Sequence, residues 1–189
     1  MQIDRILYPV KSLGPGNRVA IWTIGCRKRC FNCASPELQK FNNKKNVTLE
    51  QFQSMLLCIK DNIDGFTITG GEPLCQAEEL SLFLDEMRKI AEDILIFTGF
   101  SEKEIDVMKN YEIQECITKA AVVISGEYID VLNDNKTALV ASSNQKIIWN
   151  NENYKKKYYS YMKNGRIIEN FYYGDNLISV GIHSRRELT

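Results

Sequence analysis

Apolar residues in this chain form short continuous runs, separated by longer segments in which apolar positions recur at helical spacing. A continuous run predicts a buried strand, because a strand covered on both faces has few polar positions. The predicted strands occupy residues 19–24, 65–69, 94–98 and 121–124. Strands that alternate with amphipathic helices favour a mostly parallel α/β sheet with right-handed crossovers.

Two capping boxes mark where helices begin. Thr48 is followed three residues later by Gln51, and Ser101 is followed by Glu104. In each pair the two side chains can satisfy backbone amides that the first helical turn leaves unpaired. We therefore expect a helix over residues 48–62 and a short helix after Ser101. A further helix is predicted between the second and third strands, from apolar positions at residues 80, 83, 84, 87 and 91.

The pattern changes after residue 150. Two apolar, tyrosine-rich stretches at 158–162 and 167–172 flank an Asn-Gly pair, which favours a tight hairpin, and residues 177–182 can add another strand. We therefore predict a domain over residues 1–150 and a small antiparallel β-rich extension over residues 151–189. The polar segment 150–153 is the predicted linker.

Composition excludes several classes of protein. The 189 residues include 24 Lys+Arg and 24 Asp+Glu, so the formal net charge is zero and no bulk nucleic-acid or anionic-membrane partner is indicated. No apolar run approaches the ~18 residues that span a bilayer. Six cysteines, three of them close together, indicate metal use in a reducing compartment better than a disulfide framework. We expect a cytoplasmic protein.

The three close cysteines are Cys26, Cys30 and Cys33, directly after the first predicted strand. A closed zinc site or four-iron cluster normally takes four protein ligands, so three thiols suggest one coordination position left for another molecule. A zinc knuckle or a structural cluster is the alternative. It would need a fourth ligand from the remaining candidates, which are Cys58, Cys75, Cys116 and His183.

A Gly-Gly-Glu-Pro turn, residues 70–73, follows the second predicted strand. Two glycines allow the backbone to approach a ligand closely, and the adjacent carboxylate and carbonyls can accept hydrogen bonds from an ammonium group. Ligands of parallel sheets bind beyond the carboxyl ends of the strands. The cysteine loop, this turn and Thr98 after the third strand are all expected there.

The Cys-x3-Cys-x2-Cys spacing with Phe31 after the second cysteine, together with the Gly-Gly-Glu-Pro turn, resembles the radical S-adenosylmethionine superfamily. The resemblance implies that Cys26, Cys30 and Cys33 ligate a [4Fe-4S] cluster whose open iron binds S-adenosyl-L-methionine. Reductive cleavage then yields a 5′-deoxyadenosyl radical that abstracts a hydrogen atom. No catalytic side chain beyond the cluster ligands is implied. The implied cofactor contacts are Phe31, Asn32, Gly70, Gly71, Glu72, Pro73, Thr98, Ser142, Ser143 and Asn144.

Motifs over residues 10–149 resemble, more narrowly, the activase group of glycyl radical enzymes that includes the anaerobic ribonucleotide reductase activating protein. They include Gly-Pro-Gly-Asn-Arg at 14–18, Phe-Thr-Gly-Phe at 97–100, Gly-Glu-Tyr at 126–128 and Ser-Ser-Asn-Gln-Lys at 142–146. This resemblance implies an incomplete (β/α) barrel, open on one side to a partner's loop. It also implies that a large glycyl radical enzyme is the partner.

Other features leave alternatives open. Ala121 and Ser125 stand where that group usually has Asp, and Val140-Ala141 where it usually has Arg-Gly. A stand-alone radical S-adenosylmethionine enzyme acting on a peptide or small molecule is therefore a second hypothesis. A non-catalytic iron–sulfur or zinc protein is a third. The basic residues at 27–29 form either a solvated loop or a contact for an acidic electron donor of the flavodoxin or ferredoxin type.

Overall fold

A six-stranded sheet in chain order forms the centre of the computed structural model, which describes residues 1–59, 62–173 and 176–184. The inner pairs β2–β3, β3–β4 and β4–β5 are parallel, and the outer pairs β1–β2 and β5–β6 are antiparallel. The sheet is therefore mostly parallel, as predicted. Its strands are β1 Ile3–Val10, β2 Arg18–Thr23, β3 Gly65–Gly70, β4 Ile94–Thr98, β5 Val122–Ser125 and β6 Lys146–Trp149.

The helices begin where the sequence signals indicate. Both predicted capping boxes form, at Thr48 with Gln51 and at Ser101 with Glu104. The first helix ends at Leu57, earlier than residue 62, the end predicted from the apolar spacing. The helices are α1 Leu49–Leu57, α2 Ala77–Arg88, α3 Glu102–Met108, α4 Tyr111–Lys119 and α5 Lys155–Met162.

The two faces of the sheet pack against different parts of the chain. Alternate strand residues such as Ile21, Ile68 and Ile96 pack against the buried faces of α1, α2 and α4 in the largest apolar cluster. The residues between them lie on the opposite face, because side chains alternate along a strand. There, Trp22 belongs to one cluster and Leu95 to another. Both of those clusters include residues from the C-terminal segment.

The C-terminal segment corrects the sequence prediction. Residues 158–162 were expected as a strand and instead belong to α5. Tyr158, Tyr161 and Met162 lie at helical spacing and all pack in the cluster around Leu95, which strand geometry would not allow. The Asn-Gly pair then ends this helix, with the Gly165 amide donating to the Met162 carbonyl.

The antiparallel hairpin lies further along the chain. Strand β7 Ile168–Tyr173 pairs with β8 Asn176–Gly181 in a separate two-stranded sheet. Val180 packs against Trp22, and the backbone amides of Lys11 and Ser12 donate to the Glu169 carboxylate at 2.7 and 2.6 Å. The hairpin therefore covers the sheet face that α1, α2 and α4 leave open.

Buried charges join α5 to the edge where the parallel strands begin, here called the amino edge. Arg18, at the start of β2, is fully buried and lies 3.2 Å from Asp93, directly before β4. The Tyr158 hydroxyl donates to the same carboxylate at 2.6 Å, and Lys157 pairs with it at 2.7 Å. A buried carboxylate needs such partners, so this network attaches the C-terminal helix to the sheet.

No helix within residues 1–59, 62–173 and 176–184 combines the length and apolar character needed to cross a membrane.

Candidate functional site

The cysteine loop, residues 26–33, leaves the end of β2 at the edge where the parallel strands end, here called the carboxyl edge. Cys26, Cys30 and Cys33 are all half-buried free thiols. Arg29 and Asn32 adopt left-handed backbone conformations, with φ of 58° and 52°. Left-handed conformations are uncommon for residues other than glycine, and here they occur on both sides of Cys30 in the chain.

The three thiols influence one another electrostatically. The pKa of Cys30 is raised to about 12, chiefly by burial, then by the Glu127 carboxylate that hydrogen-bonds the thiol, and then by Cys33 and Cys26. Over the described part of the chain, no three His, Cys, Asp or Glu side chains are arranged as metal ligands. The loop thus brings the thiols near one another without converging their sulfur atoms.

The donor set fits an iron–sulfur cluster. Cysteine thiolates are the ligands that such clusters take, and binding releases the thiol proton. Burial and the Glu127 carboxylate both favour the protonated Cys30 thiol, whereas a bound cluster would favour the thiolate. Three ligands from one short loop are also what an open-iron cluster needs.

The four candidates for a fourth ligand lie in different surroundings. Cys58 is exposed at the end of α1, and the buried Cys116 thiol donates to the Ala77 carbonyl at 3.2 Å. His183 lines a cavity beside β8. Of these four described residues, Cys75 is the one that lies against the cysteine loop, where the Arg27 backbone amide hydrogen-bonds its sulfur. Burial and the neighbouring Glu72 raise the pKa of Cys75.

The Gly-Gly-Glu-Pro turn packs directly on the junction between β2 and the cysteine loop. The Gly71 amide donates to the Thr23 carbonyl and the Glu72 amide to the Gly25 carbonyl, both at 2.8 Å. A Cβ atom on Gly71 would lie 2.5 Å from the Gly25 oxygen, so only glycine allows this approach. The two motifs therefore meet at one sheet edge, where the sequence predicted them.

Glu72 joins the ends of neighbouring strands. Its side chain is 1% exposed, and its carboxylate accepts hydrogen bonds from the Gly99 amide at 2.6 Å, the Thr98 hydroxyl at 2.8 Å and the Leu74 amide at 3.0 Å. Burial raises its pKa to about 7, although these donors and Lys28 act in the opposite direction. Both oxygens are thus engaged within the protein, and Pro73 continues the turn into a short 3-10 helix, Pro73–Gln76.

The remaining predicted contacts divide into two groups. Phe31 is 73% exposed and Asn32 is also exposed, on the outside of the cysteine loop. Ser142 is buried and its hydroxyl accepts the Ile129 amide, whereas the Ser143 amide donates to the Leu132 carbonyl. These two serines therefore shape the loop before β6.

Asn144 has a buried acceptor, unpaired within the described part of the chain, and lies beside a cleft at the carboxyl edge. Its Nδ2 donates to the Glu127 carbonyl at 2.8 Å, but its Oδ1 is buried with no hydrogen-bond partner among the described residues. An unpaired buried acceptor is uncommon, and a ligand with a hydroxyl or amino donor would satisfy it. The adjoining cleft of about 360 Å³ is lined by Ser101, Glu102, Lys103, Glu104, Ser125, Gly126, Glu127, Asn144 and Lys146.

A second cavity of about 280 Å³ lies between β8 and the sheet face that the hairpin covers. Trp22, Thr69 and Phe97 line it from the sheet, and Ala34 and Ser35 line it from the segment after the cysteine loop. Sequence reasoning expected residues 151–189 to cover the open side of the barrel only in the hypothesis of a stand-alone enzyme, and it did not predict this cavity. It also missed Glu127 as a neighbour of Cys30, since these residues are distant in the chain.

Comparison with known proteins agrees with this geometry. Residues 12–148 match the model of the 4Fe-4S single cluster domain family. The anaerobic ribonucleoside-triphosphate reductase-activating protein of Enterobacteria phage T4 is 29% identical over 157 residues, which cover 80% of this chain and 95% of that protein.

A pyruvate formate-lyase-activating enzyme of Staphylococcus aureus (strain USA300) is 34% identical over 92 residues, covering 44% of this chain and 37% of that enzyme. The chain thus spans most of the phage protein but little more than a third of the bacterial one. Since the family match covers well over half of the residues, this chain belongs to the 4Fe-4S single cluster domain family, and the two relatives described here are both named as activating proteins of other enzymes.

Proposed function

We propose that this protein binds a [4Fe-4S] cluster through Cys26, Cys30 and Cys33, cleaves S-adenosylmethionine reductively and activates a glycyl radical enzyme. The observation that carries the proposal is the contact between the two motifs. Hydrogen bonds of 2.8 Å join Gly71 to Thr23 and Glu72 to Gly25, so a cofactor held by the loop meets the turn.

The residues of the chain have distinct roles in this proposal. When bound, the cluster and S-adenosylmethionine supply the electron and the radical chemistry. The thiolates hold the cluster, and Gly70 and Gly71 let the backbone approach the methionine end. Glu72 fixes the turn against Thr98, and in this proposal the Asn144 side chain contacts the nucleoside, with its oxygen, unpaired within the described residues, as support for that role.

The proposed partner is a glycyl radical enzyme of the anaerobic ribonucleotide reductase kind. The name of the phage relative supports this choice, because the alignment covers nearly all of that protein. We propose that the sheet corresponds to an incomplete barrel with the hairpin β7–β8 over its open side. The exposed Arg27 and Arg29 would face an acidic electron donor of the flavodoxin or ferredoxin type in the cytoplasm.

The experiment begins with anaerobic reconstitution of the purified chain with iron and sulfide. We expect about four irons per chain and formation of 5′-deoxyadenosine from S-adenosylmethionine under reducing conditions. Cys30→Ala should lose both, whereas Cys58→Ala, which changes an exposed thiol on α1, should keep both. Normal cleavage by Cys30→Ala would contradict the proposal. A glycyl radical signal in a co-incubated reductase distinguishes an activase from a stand-alone enzyme.

A non-catalytic site with four thiol ligands is a second candidate, because Cys75 lies beside the cysteine loop. The variant Cys75→Ala distinguishes a radical enzyme with an open-iron cluster from a non-catalytic four-cysteine metal site. An open-iron cluster keeps its iron and its cleavage activity in this variant, whereas a closed four-cysteine site loses its metal.

A further inference from the structure

The three consecutive basic residues of the cysteine loop differ in their surroundings. Arg27 and Arg29 are exposed, whereas the Lys28 side chain is only 13% exposed. The Lys28 ammonium lies 2.5 Å from the Glu104 carboxylate and 4.9 Å from the centre of the Phe100 ring. Lys28 is therefore turned towards the connection between β4 and α3, away from any docking surface that the two arginines form.

The carboxylate that receives Lys28 is itself fixed. Glu104 is the last residue of the capping box that opens α3, and its other oxygen accepts hydrogen bonds from the Ser101 amide and hydroxyl, both at 2.8 Å. The Lys28 stem also lies beside Gly99, where a side chain larger than hydrogen would press against it. Lys28 thus contacts a hydrogen-bonded carboxylate, an aromatic ring and a strand end, which restricts its side chain more than an isolated surface ion pair would, although Glu104 is itself 44% exposed.

Lys28 also contacts a proposed cluster ligand through its backbone. Its amide donates to the Cys26 sulfur at 3.4 Å. Hydrogen bonds to the sulfur ligands are one of the means by which a protein sets the reduction potential of an iron–sulfur cluster. Since the side chain that pairs with Glu104 and the amide that donates to Cys26 both belong to Lys28, the ion pair helps to hold the amide in place.

We propose that Lys28 is a positioning residue: its pairing with Glu104 holds the Lys28 amide on the Cys26 sulfur and thereby raises the reduction potential of the bound cluster. This inference rests on the proposed function, because it concerns the cluster assigned there. The sequence alone shows three consecutive basic residues at 27–29, and Glu104, the partner of Lys28, lies 76 residues away along the chain.

Glu104→Ala distinguishes positioning of the Lys28 amide from simple electrostatics, because the two predict opposite changes in the reduction potential of the cluster. Removing a negative charge near the cluster would raise its potential, whereas releasing the Lys28 amide from Cys26 would lower it. We expect a fall of about tenfold in the ratio of reduced to oxidised cluster at a fixed potential, which is about 59 mV for a one-electron couple. The matched control is Glu102→Ala, which removes the same charge from an exposed position in the same helical turn.

Lys28 variants complete the test. Lys28→Met should lower the potential as Glu104→Ala does, and Lys28→Arg should restore most of it because Arg can still pair with the carboxylate. The potential is measured by electron paramagnetic resonance during a redox titration, at matched iron content. A potential in Glu104→Ala equal to or above that of the wild-type protein would overturn the proposal.

A second measurement needs no cluster. Hydrogen–deuterium exchange of the Lys28 amide in metal-free protein should accelerate in Glu104→Ala and stay unchanged in Glu102→Ala. Unchanged exchange in both variants would show that the ion pair does not hold the loop. A wild-type chain that takes up no iron would overturn the proposed function instead, and the exchange result would still decide whether Lys28 positions the amide.

Discussion

Replacing Glu72 with Gln should change how the stability of this protein depends on pH. The Glu72 carboxyl is buried at the contact between the two cofactor motifs, and burial raises its pKa from the ordinary 4.5 to about 7. Gln has nearly the same size and cannot ionise. The substitution therefore removes one titration and, because the Gln NH2 group cannot accept a hydrogen bond, also removes an acceptor at a cost that does not vary with pH.

The sign follows from proton binding. Between pH 4.5 and 7 the folded protein keeps the Glu72 proton while the unfolded chain has lost it, so the free energy of unfolding falls as pH rises through this window. A shift from 4.5 to about 7 corresponds to about 3 kcal/mol over the whole window. Above pH 7 Glu72 is ionised in both the folded and the unfolded protein, and its contribution to the free energy of unfolding decreases no further.

The assay is urea unfolding of metal-free protein at several pH values from 4.5 to 8. The difference in the free energy of unfolding between the wild-type protein and Glu72→Gln should change by about 3 kcal/mol across this range, with the wild-type protein losing stability relative to the variant as pH rises. Glu78→Gln, at an exposed position on α2, is the control and should follow the wild-type profile. Parallel profiles for the wild-type protein and Glu72→Gln would refute the reasoning.

Two further substitutions test opposite edges of the sheet. Gly71→Ala places a Cβ 2.5 Å from the Gly25 oxygen and should cost about 1–3 kcal/mol and lower iron uptake; unchanged stability and uptake would contradict the close contact. Tyr158→Phe removes the 2.6 Å hydrogen bond to Asp93 and should cost about 1–3 kcal/mol in urea unfolding. Tyr159→Phe, at an exposed position on the same helix, should cost little, and equal losses in the two tyrosine variants would argue against the buried network.

Sequence analysis predicted the strands that are buried on both faces, because such strands appear in the sequence as continuous apolar runs. β2 to β5 lie inside the sheet and read as continuous apolar runs, so all four were predicted. The edge strands β1 and β6 were not predicted. β1 is mostly half-buried and contains Asp4, Arg5 and Pro9, a composition that edge strands tolerate and that resembles a loop. Their strand state depends on pairing with a neighbour.

The error at residues 158–162 has a similar cause. Tyrosines at 158, 159 and 161 suit a strand by intrinsic preference, and the nearby Asn-Gly pair suits a hairpin. The helix at these residues is stabilised by Asp93, which lies 65 residues earlier in the chain. Its buried carboxylate accepts a hydrogen bond from the Tyr158 hydroxyl. Tertiary contact therefore overrode the local preference.

For the candidate site, the spacing of residues within short motifs predicted the cysteine loop and the turn. The sequence did not predict which distant residues contact these motifs. The cysteine loop and the Gly-Gly-Glu-Pro turn were recognised from contiguous residues, and strand order alone brought them to one edge. Glu127 beside Cys30 and Glu104 beside Lys28 come from other strand ends. No local pattern indicates which acidic residue will face a loop that lies so far away in the sequence.

The two edges of the sheet are held together by separate sets of residues, and this separation bears on how the site can change when cofactors bind. At the amino edge, Arg18, Asp93 and Tyr158 join buried charges into the core. At the carboxyl edge, the buried Glu72 and the partly exposed Lys28–Glu104 pair join loops to strand ends. The same strands β2 and β4 connect both sets, but no residue belongs to both. We therefore expect the amino edge to keep the strands in register when the cysteine loop adapts to a bound cluster.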